Sequence, residues 1–382
     1  MRRYLRDIAE IGAGQGAPQG DYNYCDDGLP FVKAGNLQEL TSGGSINDIQ
    51  KVSDEVAKAH KLKLYPKGTV LFAKSGMSCL KGYVYVLPVN AYVVSHLACI
   101  TPKENISEYL RLYFTFHKPN QLVKDAAYPS ISLTDIGNLE VDTKDEQTRD
   151  HIITVLKSVE EIIELRTQEL QRLDDLIKAR FVELFGDPIS NSQNLRLVSL
   201  KDVCSKITDG THDTPPRYQE GYLLITGKNV RSTGLVYDEI EYVCKKDHET
   251  IYARCNPEYG DVLYTNIGVN YGTACFNDLD YEFSMKNVAL LKPIKNVITG
   301  RYLWQCLNIM RDYILSMNQV GGAQTFMGLA IIKGIVIPLP TLESQKQFSR
   351  FVEQVDKSKA FAQKALDEAQ ILFDSLMQQY FG

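Results

Sequence analysis

Two stretches of this chain carry residue types that could act on a nucleotide base. Asn256-Pro257-Glu258-Tyr259 nearly spells the Asn-Pro-Pro-Tyr type of sequence that holds a flipped adenine in amino-methyltransferases. That chemistry needs a proline-stiffened loop with an amide and a stacking aromatic. Residues 207–216 (ITDGTHDTPP) form a polar loop stiffened by glycine and proline, which gathers Asp209, Thr211, His212, Asp213 and Thr214. Such a loop can present donors and acceptors to base edges; a plain surface turn is the alternative. Other chemistry is missing. GAGQG at 12–16 departs from the dinucleotide-binding G-x-G-x-x-G and follows a helix-like stretch, and there is no P-loop. The eight cysteines show no C-x-x-C spacing and the histidines no H-E-x-x-H, so buried free thiols are expected rather than metal ligands or disulfides.

The elements that must position these residues are written twice. A long helical segment, residues 145–186, ends FVELFG, and a second, 342–382, ends MQQYFG, so that the two Phe-Gly pairs stand 196 residues apart. The preceding segments repeat more faintly. FVKAGNL at 31–37 matches LITGKNV at 224–230, KGTVLFAKSG at 67–76 matches YGDVLYTNIG at 259–268, and LACITP at 97–102 matches VALLKP at 288–293. Tyr109-Leu110 matches Tyr302-Leu303, and IGNLEV at 136–141 matches IKGIVI at 332–337. A repeat of this size implies two similar modules and two spacers, and a molecule that touches one extended partner, such as DNA, at two places. It also places Glu258-Tyr259-Gly260 opposite Pro66-Lys67-Gly68, each ahead of a V-L-(F/Y) strand. The Asn-Pro-Glu-Tyr fragment therefore reads as a strand-entry turn.

Strands are predicted over 70–73, 83–87 and 98–100 in the first module and over 262–265, 272–276 and 288–291 in the second, with helices over 107–116 and 299–317. The fold expected is α+β: two mixed α/β domains, residues 1–144 and 188–341, joined by helices over 145–187 and 342–382 that pair as an antiparallel coiled coil, with a pseudo-two-fold internal repeat. The seam of the first helix is Ile152, Leu156, Val159, Ile163, Leu170, Leu173, Ile177 and Leu184, with Arg166 and Arg180 as polar exceptions. Phe348, Val352, Val355, Ala362, Leu366, Ala369, Phe373, Leu376 and Tyr380 follow the same alternation in the second, with Lys359 as the exception. Each helix would be roughly 60 Å long. Apolar residues off the seams, among them Ile162, Leu165, Phe181, Phe351, Phe361 and Leu372, are candidates for docking another chain. Packing against the modules is the other use for them.

At 382 residues the chain is long enough for two or three domains with their own cores. No apolar run reaches membrane-spanning length, so no membrane and a cytoplasmic location are expected. The net charge of −5 is uneven: residues 145–187 hold 6 basic and 11 acidic side chains, whereas residues 1–144 hold 16 and 15 and residues 188–341 hold 15 and 15. Neutral modules fit a protein that reads bases while another subunit supplies much of the phosphate affinity.

Over essentially its whole length the chain resembles the specificity subunit of Type I restriction–modification systems. The resemblance rests on LFGDP at 184–188, TDGTHDTPP at 208–216, the GNL and KNV turns, IVIPLP at 335–340, and above all the order module, helix, module, helix. It implies two target-recognition domains, each reading half of a split double-stranded DNA target. It further implies helices that act as a ruler and as the platform for two modification subunits. Those partners would carry S-adenosylmethionine and the adenine methylation, and a restriction subunit would join for cleavage; this chain would hold neither cofactor nor catalytic residue. A self-contained methyltransferase or nuclease, and a coiled-coil scaffold that binds no nucleic acid, are the competing readings. Polar residues on repeated turns are the expected DNA contacts: Lys33, Asn36, Lys74 and Ser75 in the first module, and Thr211, His212, Lys228, Asn229, Asn266 and Gln324 in the second.

Overall fold

In a computed structural model, which describes residues 2–268, 270–317 and 326–382, the chain divides into two compact units. One comprises residues 1–165 with 366–382, the other residues 166–365, so each takes one module and a half of each long helix.

In the first unit, β1 (Ala9–Ala13), β5 (Val70–Ala73), β6 (Val84–Val86) and β8 (Leu97–Pro102) form an antiparallel sheet in the order β1-β8-β5-β6. The run Val-Leu-Phe-Ala of β5 is buried on both faces, as a central strand requires. A second sheet, in the order β3-β2-β7-β4, is built from β2 (Leu29–Val32), β3 (Lys51–Val52), β4 (Leu64–Tyr65) and β7 (Ala91–Val93), with β2 and β7 parallel. The chain passes from β7 into β8 over Val94–His96, a corner where one sheet hands over to the other. Helix α1 (Ser107–Phe116) lays Tyr109, Leu110, Leu112 and Phe114 into the core, Phe114 meeting Phe72 at 5.3 Å between ring centres.

The second unit repeats the plan. β9 (Cys204–Asp209), β12 (Val262–Tyr264), β13 (Ala274–Phe276) and β15 (Ala289–Pro293) form the sheet β9-β15-β12-β13. β10 (Tyr222–Thr226), β11 (Glu241–Val243) and β14 (Ser284–Lys286) form the sheet β11-β10-β14, with β10 and β14 parallel. Asn287 makes the corner from β14 to β15. Helix α3 (Gly300–Ile309) buries Tyr302, Leu303 and Leu307; the helix expected over 299–317 is broken at Met310, and a second helix, Arg311–Met317, follows.

Helices α2 (Glu146–Phe185) and α4 (Leu342–Phe381) are each 40 residues long. Asp145 starts α2 by accepting hydrogen bonds from the Thr148 amide at 3.0 Å and hydroxyl at 2.7 Å. LFGDP ends it: Gly186 adopts φ +71°, and a Cβ there would lie 2.2 Å from Ser192 Oγ. Asp187 then accepts from the Ile189 amide at 3.0 Å and the Ser190 hydroxyl at 2.8 Å. In the first unit Ile152, Leu156 and Val159 share a core with Phe373, Met377 and Phe381. In the second, Ile177, Phe181 and Phe185 share one with Phe348, Val352 and Val355. The pairing there is antiparallel, Asp174 lying against Lys359 and Phe181 against Phe348. The polar seam positions are occupied by ion pairs: Lys359 Nζ donates to Asp174 at 2.6 Å, and Arg180 pairs with Glu183 at 2.7 Å while lying over the Phe351 ring.

Two expected docking residues are corrected by this packing. Phe181 is fully buried, its ring 5.0 Å from Phe185, 5.3 Å from Tyr302 and 5.5 Å from Phe348. Phe351 is partly buried against the same core. Both positions flank the helix seam on the sequence pattern, and the module and the neighbouring helix cover them.

Candidate nucleic-acid interface

In each unit one end of the four-stranded sheet gathers the ends of three strands at the sheet-to-sheet corner. In the first, Gln15 donates its amide to Val93 O at 2.9 Å and accepts from the Ser95 amide at 2.8 Å. In the second, Thr211 donates to Met285 O at 2.8 Å and accepts from the Asn287 amide at 3.1 Å. The residue before each is glycine for the same reason. A Cβ on Gly14 would fall 1.9 Å from Val93 O, and one on Gly210 would fall 2.1 Å from Met285 O. GAGQG and TDGTHDTPP are thus the same turn, and the glycine in each admits a close backbone crossing.

Lys74 and Ser75 meet His96 at the corner of the first unit, and Lys33 stands where β2 leaves it. Lys33 follows β2, where the Val94 amide donates to Val32 O, and its ammonium bonds Gln50 at 2.5 Å above the Tyr24 ring. Lys74 and Ser75 follow β5; the Lys74 amide donates to His96 O at 2.9 Å, and Ser75 Oγ lies 2.8 Å from His96 Nδ1. Asn36 plays a different part, its side chain accepting from the Lys33 amide at 2.9 Å and so holding the turn.

Thr211, His212 and Lys228 gather likewise in the second unit. His212 is exposed and lies between the buried carboxylate of Asp209, 3.0 Å away at Nε2, and Asn287 Oδ1, 3.1 Å away at Nδ1. Lys286 Nζ reaches Thr214 Oγ1 at 2.5 Å. Lys228, Lys286, Asn287 and Arg217 line a cleft of about 270 Å³ together with Glu239 and Glu241. The two acids pair with Lys228 at 3.4 Å and Arg217 at 2.7 Å.

Two further expected contacts are corrected. Asn229 is buried, accepting from the Thr226 amide at 3.0 Å and donating to Val236 O at 3.1 Å. It builds the turn that Asn36 builds in the first module. Asn266 is also fully buried, so its amide is not presented to a duplex. Gln324 lies outside the described residues. The corners also hold Gln15, Ser95, His96, Lys286 and Asn287, none of them among the expected contacts.

The Asn-Pro-Glu-Tyr fragment has a structural use. Asn256 takes φ +39° to end the helix Lys245–Cys255 and accepts from Lys206 Nζ at 2.9 Å, while Glu258 pairs with Lys292 at 3.2 Å. Six of the eight cysteines are buried free thiols, and burial pushes Cys99, Cys204 and Cys306 up to about 12, which makes them inert. Cys25 is exposed and Cys244 partly so, against expectation. Among the described residues no group of three His, Cys, Asp or Glu side chains could hold a metal ion, and no helix is long and apolar enough to cross a membrane.

Two α+β modules on a pair of long helices, each with a polar corner, define a duplicated recognition architecture. The chain belongs to the family of the Type I restriction modification DNA specificity domain, whose model matches residues 1–175 and again 193–370. A curated relative, the Type I restriction enzyme MjaIX specificity subunit of Methanocaldococcus jannaschii, is 28% identical over 138 residues, 35% of this chain. The matched stretch spans 31% of that relative's length. Among solved structures, the Type I restriction-modification S subunit from M. genitalium superposes over 100% of this chain and 96% of its own, with TM-score 0.62 and 14% identity. A chain from a structure on complex assembly and conformational transition of the Type I R-M system covers 100% and 97%, with TM-score 0.54 and 17% identity. Both likenesses establish the fold.

Proposed function

We propose that this chain is the non-catalytic DNA sequence-specificity subunit of a Type I restriction–modification complex, and that its two modules read the two halves of a split double-stranded target. The observation that carries this is the duplicated corner: Gly14 and Gly210 fix the same backbone crossing, and the side chains around it differ between the copies. Same scaffold with different polar groups is what two unlike half-sites call for. Lys33 and Lys74 in the first module, with Ser75 beside them, and Thr211, His212 and Lys228 in the second, are the DNA-facing residues of this proposal.

Two modification subunits, carrying S-adenosylmethionine and the methylation chemistry, would dock on the helices, with restriction subunits joining for cleavage. The cytoplasm, where the target DNA lies, is the matching location. Support for docking comes from the flanks of α2 and α4. In the first unit Glu160 of α2 is held by Arg111 of the module at 2.6 Å, and Met377 of α4 is buried in the module core. Ile162 and Leu165 of α2 and Leu372 of α4 lie on the other flanks and are 45%, 63% and 49% exposed. In the second unit Asp356 of α4 is held by Arg301 of the module at 2.6 Å, and Phe361, on the opposite flank, is 72% exposed. Antiparallel pairing brings like flanks of the two helices to one side, so each unit turns a module-covered side one way and an apolar, open side the other.

Retention of labelled DNA on filters, with this chain alone and with its modification subunit, tests the proposal. Salt-dependent retention by the complex is expected. A complex that forms and retains no DNA would leave a scaffold without nucleic-acid reading.

A further inference from the structure

The two corners differ in length by one residue. Leu97 and Val288 occupy matching places, each accepting from the glycine amide of the crossing (Gly14 at 3.3 Å, Gly210 at 3.0 Å), and Ser95 and Asn287 match as donors to Gln15 and Thr211. Between Ser95 and Leu97 the first module holds one extra residue, His96; between Asn287 and Val288 the second holds none. The extra residue is pinned twice, its carbonyl accepting from the Lys74 amide at 2.9 Å and its ring Nδ1 lying 2.8 Å from Ser75 Oγ. Its side chain is nevertheless exposed. An exposed imidazole held at the backbone and at one ring nitrogen has its other nitrogen fixed in direction at little further entropic cost.

Resting on the DNA-reading role proposed above, we infer that His96 is a specificity-determining residue of the first module, that Ser75 is its positioning residue, and that together with Lys74 they read a guanine. In the arrangement we infer, the Ser75 hydroxyl donates to Nδ1, which leaves a ring proton on Nε2 and makes His96 a donor. Lys74, whose backbone amide donates to His96 O at 2.9 Å, carries its ammonium on the same turn and adds donors only. A donor-only pair matches the two major-groove acceptors of guanine, N7 and O6.

The test is long-read mapping of methylated adenines in cells that co-express the modification subunit with the wild-type chain or with H96A, H96Q, S75A, S75T or H212A. The wild type should give a split motif with a specified G·C pair in one half. In H96A discrimination at that pair should fall by about 5- to 150-fold, with the other half-site unchanged. S75A should relax the same pair less, S75T should restore it, and H212A should relax the other half instead. An unchanged motif in H96A, relaxation spread over both halves, or relaxation at an A·T pair overturns the inference. If H96A forms the complex but abolishes methylation, H96Q decides: a motif still specifying the G·C pair upholds a donor at this place, and its loss overturns it. A wild-type complex that shows no split motif refutes the DNA-reading role itself, and does so before any variant is compared.

Discussion

Phe181 and Phe361 look alike in sequence, each an aromatic residue beside a heptad seam, yet the structure gives them opposite surroundings. Phe181 is fully enclosed by Phe185, Tyr302 and Phe348. Truncating it to alanine removes a buried ring where helix, helix and module meet, and buried Phe→Ala changes cost about 3–5 kcal/mol. For a unit of roughly 200 residues each kcal/mol shifts the melting temperature by about 2–4 °C, so F181A should melt about 6–20 °C lower. Phe361 is 72% exposed, and its truncation should change stability by no more than about 0.5 kcal/mol. If the open flank takes the modification subunit, F361A should instead weaken that partner by roughly 5- to 30-fold, the usual range for an aromatic interface anchor. Thermal unfolding followed by circular dichroism, with titration of the modification subunit, separates the two. Unaltered melting in F181A alongside weakened partner binding would refute the packing assignment, and a destabilised F361A with full partner affinity would refute the docking assignment.

Other outcomes follow from the same geometry. G210A should destabilise the second unit by about 1–3 kcal/mol through the clash with Met285 O, seen as a lower denaturation midpoint, and should disturb reading of that half-site alone. N229A should cost about 1–3 kcal/mol from the buried groups it leaves unpaired, and leave the methylated motif unchanged. Asp187 is held below the usual carboxylate range by the Ser190 hydroxyl and the Ile189 amide. Its stabilising contribution is therefore complete above the unfolded-state value of about 3.9 and is lost as pH falls through the lowered folded value. Acid unfolding of D187N should accordingly show a shallower dependence on pH below about 4 than the wild type.

The architecture was legible because it is repeated. Strands such as Val70–Ala73 and Val262–Tyr264, and helices with sustained heptads, follow from local pattern. The same criterion also picked out residues that hold turns. Asn36 and Asn229 recur because each side chain accepts from the amide three residues earlier and so builds a turn. What recurs between copies is scaffold; residues that differ between them, such as Val94 and Ser95 against Lys286 and Asn287, occupy the corner proposed to meet DNA. His96 left no signal, since a one-residue insertion is invisible until the hydrogen bonds align the two corners. The parallel pairings of β2 with β7 and of β10 with β14 join segments about 60 residues apart, which no local periodicity reports. Phe181 sits beside the seam by count, but module packing, a tertiary event, covers it.

The most direct measurement of the central claim is the methylation map of a genome exposed to this chain and its modification subunit. Two short specified halves around a fixed unspecified gap are the predicted result. No new methylation from a complex that nonetheless assembles would contradict it.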